Sequence, residues 1–292
     1  MKTFITGATG FVGRTLAVHL GRPFEALHFG DADWQARLAS ADLHGATIFH
    51  LAARVHEASA TREQFEADNV AKTAALANAA ALAGARRLVF LSTIKVNGEA
   101  TGAKAFTARD EPRPQAPYAE SKWRAEQALA ATRGLEWSIV RSPLVYGAGV
   151  GANLRELLRM ADSPWPLPFA CCHNRRSFVH VDDLARLLVE CSTHPAAIGA
   201  TFVAAHPEPV STARLVGALR RTLARPDRLF CIPAPALEAA AGVFGLGARM
   251  ARLTRSLEVD AAATCATLGW NAQVDLQHAI DDMVHAYREA AR

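Results

Sequence analysis

Within its first twenty residues the chain commits to a strand, a glycine turn and a helix. Residues 2–6 (Lys-Thr-Phe-Ile-Thr) read as a short buried strand, Gly7-Ala-Thr-Gly10-Phe-Val-Gly13 follows at once, and residues 14–20 run at helical spacing with Leu16, Ala17 and Leu20 on one face. Glycines at i, i+3 and i+6 let the backbone turn sharply and let a ligand come close to it. The helix start beyond them offers unpaired N–H groups and a partial positive charge, which suits a pyrophosphate. A glycine triplet alone is a weak signal, and a plain tight turn is its ordinary alternative. Its place directly between a strand and a helix favours dinucleotide binding.

The rest of the chain supplies the sheet that such a turn needs. Residues 24–29, 46–52, 87–91 and 136–141 read as further strands, and 46–52 is almost continuously apolar, as in a parallel sheet covered on both faces. Residues 62–83, with Gly84 as a cap, and 118–132, approached through Pro114 and Pro117, read as helices. The alternation predicts an α/β fold with a doubly wound parallel sheet of the Rossmann type. The pattern changes near residue 147. Pro164, Pro166 and Pro168 mark a loop, 177–181 and 202–205 are strand-like, 182–192 is helical, and the remainder is mainly helix, closing at 276–288. The expected division is a cofactor-binding domain of residues 1–146 and 173–205, and a smaller, mainly helical substrate domain of 147–172 and 206–292.

Composition removes several classes of function. Half of the 292 residues are hydrophobic, enough for a large core and too many for a disordered chain. The net charge of +4 arises from interspersed signs and predicts no nucleic-acid partner. No apolar run reaches the ~18 to 20 residues of a membrane span, and glycines interrupt the N-terminus before a signal peptide's apolar region can form. The five cysteines (Cys171, Cys172, Cys191, Cys231, Cys265) are odd in number, two are adjacent, and no C-x-x-C occurs. The eleven histidines show no H-E-x-x-H spacing. Neither a disulfide framework nor a metal site is expected, and a reduced, cytoplasmic protein fits.

Tyr118 and Lys122 stand four apart at the start of a helix and share a face. A tyrosine with its ordinary pKa near 10 is about one part in a thousand ionised at pH 7, so it needs a nearby positive charge to act as a base. Lys122 supplies one, and a cationic nicotinamide would supply another. Thr93, at a strand end, can hydrogen-bond the same substrate oxygen. Alone, each has an ordinary reading: a surface helix pair and a strand-end hydroxyl. Together with the glycine turn they point to proton transfer beside a nicotinamide.

These motifs resemble the extended short-chain dehydrogenase/reductases, in the NAD-dependent epimerase/dehydratase family, which use a G-x-x-G-x-x-G turn. The resemblance spans the chain through Thr6–Gly13, His50-Leu-Ala-Ala53, Asn69-Val70, Leu91-Ser-Thr-Ile-Lys-Val-Asn-Gly98, Pro117-Tyr-Ala-Glu-Ser-Lys122, Arg141-Ser-Pro-Leu-Val-Tyr-Gly147, Arg176-Ser-Phe-Val-His-Val-Asp-Asp-Leu-Ala185 and Leu268-Gly-Trp270. It implies a catalytic Tyr118, Lys122 and Thr93. It implies cofactor contacts from Gly7, Gly10, Phe11, Val12, Gly13, Leu51, Ala52, Ala53, Asn69 and Ser92, together with Tyr118 and Lys122. Asn153 and Arg176 match positions that hold a nucleotide diphosphate, with Arg255 as a second phosphate contact and Thr93 and Lys95 on the sugar side. Outside this context Arg175-Arg176 would read as a solvated basic pair. A homodimer through residues 62–83 and 118–132 is a further implication.

Two departures shape the functional expectation. Only one strand fits between the glycine turn and His50, so the adenine side is shortened. Asp31 or Asp33 could meet the adenine ribose, and no arginine lies between Arg22 and Arg37, which favours NAD with NADP left open. Dehydratases of the family carry an Asp-Glu pair after the catalytic Ser/Thr; this chain has Ile94-Lys95, which cannot exchange protons as carboxyl groups do. The expectation is therefore an NAD-dependent nucleotide-sugar 4-epimerase of the UDP-glucose or UDP-N-acetylglucosamine type, with a 4-ketoreductase as the alternative. A non-enzymatic nicotinamide sensor is the competing class; such proteins typically lose the tyrosine or the lysine, and both are present.

Overall fold

The computed structural model describes residues 2–55 and 60–290, apart from the side chains of residues 152 and 153. Eight strands occur in chain order: β1 (Thr3–Thr6), β2 (Glu25–Leu27), β3 (Thr47–His50), β4 (Arg87–Thr93), β5 (Glu136–Ser142), β6 (Leu144–Tyr146), β7 (Phe178–His180) and β8 (Ala200–Val203). Six of them form a parallel sheet in the order β2-β1-β3-β4-β5-β8, and β6 pairs with β7 beside it. From β1 the chain steps to one side for β2 and to the other for β3, with Thr6 level with Leu27 and with His50. That reversal opens a crevice at the carboxyl ends of β1 and β3, where the glycine turn lies.

Successive strand residues point to opposite faces and build two cores. Ile5, Phe49, Val89 and Val140 pack against α1 (Phe11–Leu20) and a helix over Val181–Thr193. Phe4, Ile48, Leu88 and Phe90 pack on the other face, where the helices of residues 62–82 and 117–131 lie. The second strand missing from the adenine side is missing in the structure too. β2 is the sheet edge and is followed by α2 (Trp34–Ser40), a helix the sequence reading did not foresee.

The helix expected over 62–83 is interrupted. α3 (Arg62–Phe65) starts with a capping box between Thr61 and Gln64, a π-helical turn follows over Glu66–Ala71, and α4 (Lys72–Leu82) completes the run. Gly84 ends it as expected, in the left-handed region at φ +69°. α5 (Pro117–Ala131) has its proline at the first helical position, where a missing N–H costs nothing. The later helices are α6 (Ala152–Asp162), α7 (Val181–Thr193), α8 (Thr212–Thr222), α9 (Ala234–Val243), α10 (Gly247–Thr254), α11 (Ala262–Leu268) and α12 (Leu276–Glu289). A third core lies between α6, α8 and α12, with Leu157, Leu158, Leu215, Leu219, Ile280 and Met283 buried against Tyr146 and Phe178.

One cysteine expectation is overturned. Cys171 and Cys231 form a disulfide across 60 residues of sequence, with their Cα atoms 4.9 Å apart. Counting could not reveal it, because the two loops meet only through tertiary bridges between Leu167 and Leu229 and between Phe169 and Cys231. The cysteine argument for a reduced protein falls with it. Among the described residues no helix is long and apolar enough to cross a membrane.

Candidate active site

The glycine turn is built so that Gly7 and Gly13 cannot be replaced. Gly7 sits at φ +71°, and a Cβ there would lie 2.8 Å from the Ala52 nitrogen. A Cβ on Gly13 would lie 2.2 Å from the Gly7 carbonyl oxygen; on Gly10 the same contact would be 3.2 Å, tight but not prohibitive. Gly10 donates its N–H to that carbonyl at 3.0 Å and begins α1 with no side-chain cap and no acidic residue in the first turn, which holds Phe11 and Val12. The first N–H groups of α1 are thus left for an external anion, and the cradle fits a dinucleotide pyrophosphate.

A buried network holds the neighbouring strand end. Thr6 Oγ1 accepts from the Leu51 and Ala52 N–H groups, both at 3.1 Å, and lies 2.6 Å from His50 Nδ1. On the far side His50 Nε2 lies 2.9 Å from Thr73 Oγ1, which donates to the Asn69 carbonyl at 2.6 Å. Each hydroxyl has one proton, so the network assigns the proton of His50 to Nε2, with Nδ1 accepting from Thr6. Burial, aided by the charge of Lys122, pushes the His50 pKa down to about 3 and keeps the ring neutral. Thr6 and Thr73 were not singled out from sequence; their partners lie 44 and 23 residues away.

Asn69 stands in the π-helical turn, which displaces it from the α-helical path. Its Oδ1 accepts from the Arg54 N–H at 2.7 Å, and its amide nitrogen donates to the Arg54 carbonyl at 3.1 Å and to Ser121 Oγ at 2.9 Å. Ser121 in turn donates to the Tyr118 carbonyl at 2.8 Å. Asn69 therefore ties the loop holding Leu51, Ala52 and Ala53 to the first turn of α5.

That turn brings the expected triad together. Thr93 ends β4 and hydrogen-bonds Tyr118. Burial raises the Tyr118 pKa above its ordinary value, and the bond from Thr93 opposes the rise. Lys122 is 2% exposed, and its ammonium lies 3.8 Å from the centre of the Phe90 ring with no hydrogen-bond acceptor among the described residues. Ser92 Oγ, next to Thr93 in sequence, is also buried without a hydrogen-bond partner among the described residues. Such groups are costly unless a ligand completes them, and ribose hydroxyls are the matching chemistry.

Burial pushes the Lys122 pKa down to about 7, with the Glu126 carboxylate opposing the shift. Without cofactor, the folded chain therefore binds fewer protons than the unfolded chain between pH 7 and the ordinary lysine value near ~10.4, so stability from this group rises with pH across that window. Lys122→Met should be most stabilising at or below pH 7, with its advantage fading towards pH 10. Thermal melts of the two proteins across that range test this; a pH-independent difference would refute it.

Glu126 was missed in the sequence, although it lies one helical turn beyond Lys122. It is 2% exposed and accepts from Arg141 Nε at 3.1 Å and Nη2 at 2.6 Å. Arg141 Nη1 donates to Asn97 Oδ1 at 3.1 Å, and Asn97 Nδ2 to the Thr107 carbonyl at 2.9 Å. The chain of contacts runs from the helix bearing Tyr118 to the segment after Thr93.

Just beyond β4, Lys95 donates its backbone N–H to Thr93 Oγ1 at 3.3 Å and its ammonium to Glu99 at 2.8 Å. Burial, opposed by the charge of Glu99 and aided by that of Arg252, pushes the Arg176 pKa down to about 10. Arg176 Nη1 donates to the Arg255 carbonyl at 3.0 Å. The side chain of Arg255 itself turns outward and forks on Glu238, at 2.6 Å from Nη2 and 3.2 Å from Nε. The second cation beside Arg176 is thus Arg252, one turn earlier, which the sequence reading passed over. Asn153 lies outside the described side chains. Asp31 is exposed near the end of β2 and lies 3.5 Å from Arg37, which is held mainly by Asp33 at 3.0 Å.

A model of the NAD dependent epimerase/dehydratase family matches residues 3–205. The chain belongs to this family. It is 32% identical to a UDP-glucose 4-epimerase of Vibrio cholerae, over 98% of this chain and 95% of that protein. Its fold is that of solved epimerases: a UDP-glucuronic acid 4-epimerase from Bacillus cereus in complex with NAD superposes with a TM-score of 0.79 at 17% identity, over the whole of both chains. A Thermotoga maritima UDP-glucose 4-epimerase with UDP-glucose gives 0.78 at 17% identity, again over both whole chains. As a member of this family, the protein is an NAD-dependent enzyme. The uncapped α1, the unpaired Lys122 ammonium and the orphaned Ser92 hydroxyl are where such an enzyme would hold its dinucleotide.

Proposed function

We propose that the protein is a UDP-hexose 4-epimerase that works by transient oxidation at C4. The observation that carries the reading is the hydrogen-bonded Thr93–Tyr118 pair beside a buried Lys122, followed by Ile94-Lys95 instead of a carboxyl pair. Tyr118, as the phenolate, takes the proton of the C4 hydroxyl, and Thr93 hydrogen-bonds the same oxygen. Lys122 supplies the positive charge that brings the phenol into range and holds the ribose hydroxyls. NAD, held at the start of α1 and by Lys122 and Ser92, would supply the hydride acceptor at C4 and the source of the returned hydride. With no carboxyl pair near C5 and C6, elimination of water has no acid and base, and the 4-keto sugar turns over before Tyr118 gives the proton back. Thr93 and Lys95 line the sugar side, and Arg176 with Arg252 takes the diphosphate. A dimer through residues 62–83 and 118–132 belongs to the same reading.

A second reading rests on Arg37. Its charge beside Asp31, at a sheet edge with one strand fewer, offsets the carboxylate that would repel a 2′-phosphate. That favours an exchangeable NADPH and a 4-ketoreductase. Purified protein incubated with UDP-glucose or UDP-N-acetylglucosamine and no added cofactor separates the two: the C4 epimer, seen by NMR, supports the epimerase. No epimer, with NADPH consumed when a UDP-4-keto-6-deoxy-hexose is supplied, supports the reductase.

The diphosphate assignment has its own test. A UDP ligand at ~100 times its dissociation constant stabilises the fold by about 2.7 kcal/mol. Arg176→Ala should lose most of the corresponding thermal shift. An unchanged shift would return Arg176 to an ordinary half-buried cation.

A further inference from the structure

We propose that the turn between α9 and α10 docks the protein onto the surface of an anionic lipid bilayer. α9 is apolar around its whole circumference apart from Glu238, yet only Leu237 and Ala241 of its ten residues are buried. A helix of that composition is ordinarily covered on all sides. Its exposed end carries Val243 at 82%, Phe244 at 79% and Leu246 at 45% exposure, three consecutive large apolar side chains interrupted only by Gly245. Scattered apolar residues need no explanation, but a contiguous apolar tip marks a contact surface.

The tip is rigidly presented. Leu246 donates its N–H to the Ala241 carbonyl at 2.8 Å and Gly245 donates to Gly242 at 3.0 Å, with Gly245 at φ +70°. This is a Schellman cap, so Val243 and Phe244 are held outward with little ordering left for binding to impose.

Charge selects the occupant. Residues 234–255 contain one acidic residue, Glu238, and three arginines, Arg249, Arg252 and Arg255. Glu238 is taken up by Arg255, whereas Arg249, in the first turn after the tip, is exposed and has no carboxylate partner among the described residues. An apolar wedge flanked by free arginine is the composition of an interfacial anchor, and anionic headgroups are its complement. A second copy of the chain fits less well. A ten-residue helix offers a face of roughly 150 Å², far below the ~800 Å² per partner of a stable interface. The docking is on the membrane, not across it, since no described helix is long enough to span.

Vesicle co-sedimentation tests the proposal. The full chain should bind vesicles of phosphatidylglycerol and phosphatidylethanolamine, bind pure phosphatidylcholine at least tenfold more weakly, and release as salt rises. Val243→Ser/Phe244→Ser/Leu246→Ser should lose at least tenfold in binding with an unchanged thermal melt, and Arg249→Glu should weaken binding on its own. Phe244→Trp should add a component to the emission that moves to the blue on anionic vesicles, beyond any change the wild-type tryptophans show. Absence of wild-type binding, or equal binding by the triple-serine variant, overturns the proposal. So does a wild-type dimer in solution that the triple variant converts to monomer, which would make a second copy the true cover of the tip.

Discussion

Tyr118→Phe should lower kcat by roughly 10²- to 10⁴-fold, the usual share of a positioned proton-transfer group. The substitution keeps the ring and its contact with Phe65, whose centroid lies 6.2 Å away, and removes only the hydroxyl that bonds Thr93. NAD affinity by calorimetry and the thermal midpoint should stay close to wild type. Activity within a few-fold of wild type would mean that the proton leaves through another group, and the assignment of Tyr118 would fail.

Glu126→Ala should destabilise the fold by about 3–5 kcal/mol, because it strands the buried Arg141 guanidinium with only Asn97 to satisfy it. Chemical denaturation gives the value directly. The double variant Glu126→Leu/Arg141→Met should recover much of the loss, since an apolar pair of similar volume no longer buries a charge. The same single change removes the carboxylate that supports the Lys122 charge, so the pKa of Lys122 should fall further and activity with it. A stability loss under 1 kcal/mol would show that water reaches the pair.

The legible parts of this protein were those written in short-range spacing. Gly7, Gly10 and Gly13 lie within seven residues, Tyr118 and Lys122 within five, and the alternation of elements announced the parallel sheet. Their placement in the structure follows from the strand–turn–helix and helix-face geometry that the spacing encodes. What escaped depends on contacts between distant segments. Glu126 meets Arg141 on another element, Thr6 and Thr73 reach His50 from two sides, and Cys171 finds Cys231 across a loop crossing. Arg252 and Arg255 are equivalent on paper; Glu238, on the preceding helix, draws one outward and leaves the other beside Arg176. α2 was invisible because seven residues after an acidic loop carry too few apolar positions to show a period.

The π-helical turn at Glu66–Ala71 sets a rule about length rather than composition. Loss of a single codon there would produce a more regular helix, and helix propensity alone would welcome it. Yet one residue is about 100° of rotation, and the two ends of the run are pinned independently. Phe65 on one side packs near Tyr118, while Leu76, Ala77 and Ala80 on the other are fully buried against the sheet. The wider π-turn takes up that extra residue, so a helix one residue shorter keeps both anchors in phase and loses only the displacement that turns Asn69 to Arg54 and Ser121. A single-codon deletion at 66–68 should therefore leave the thermal midpoint near wild type while it lowers activity, because Asn69 no longer ties Arg54 to Ser121; a deletion that unfolds the chain would overturn this.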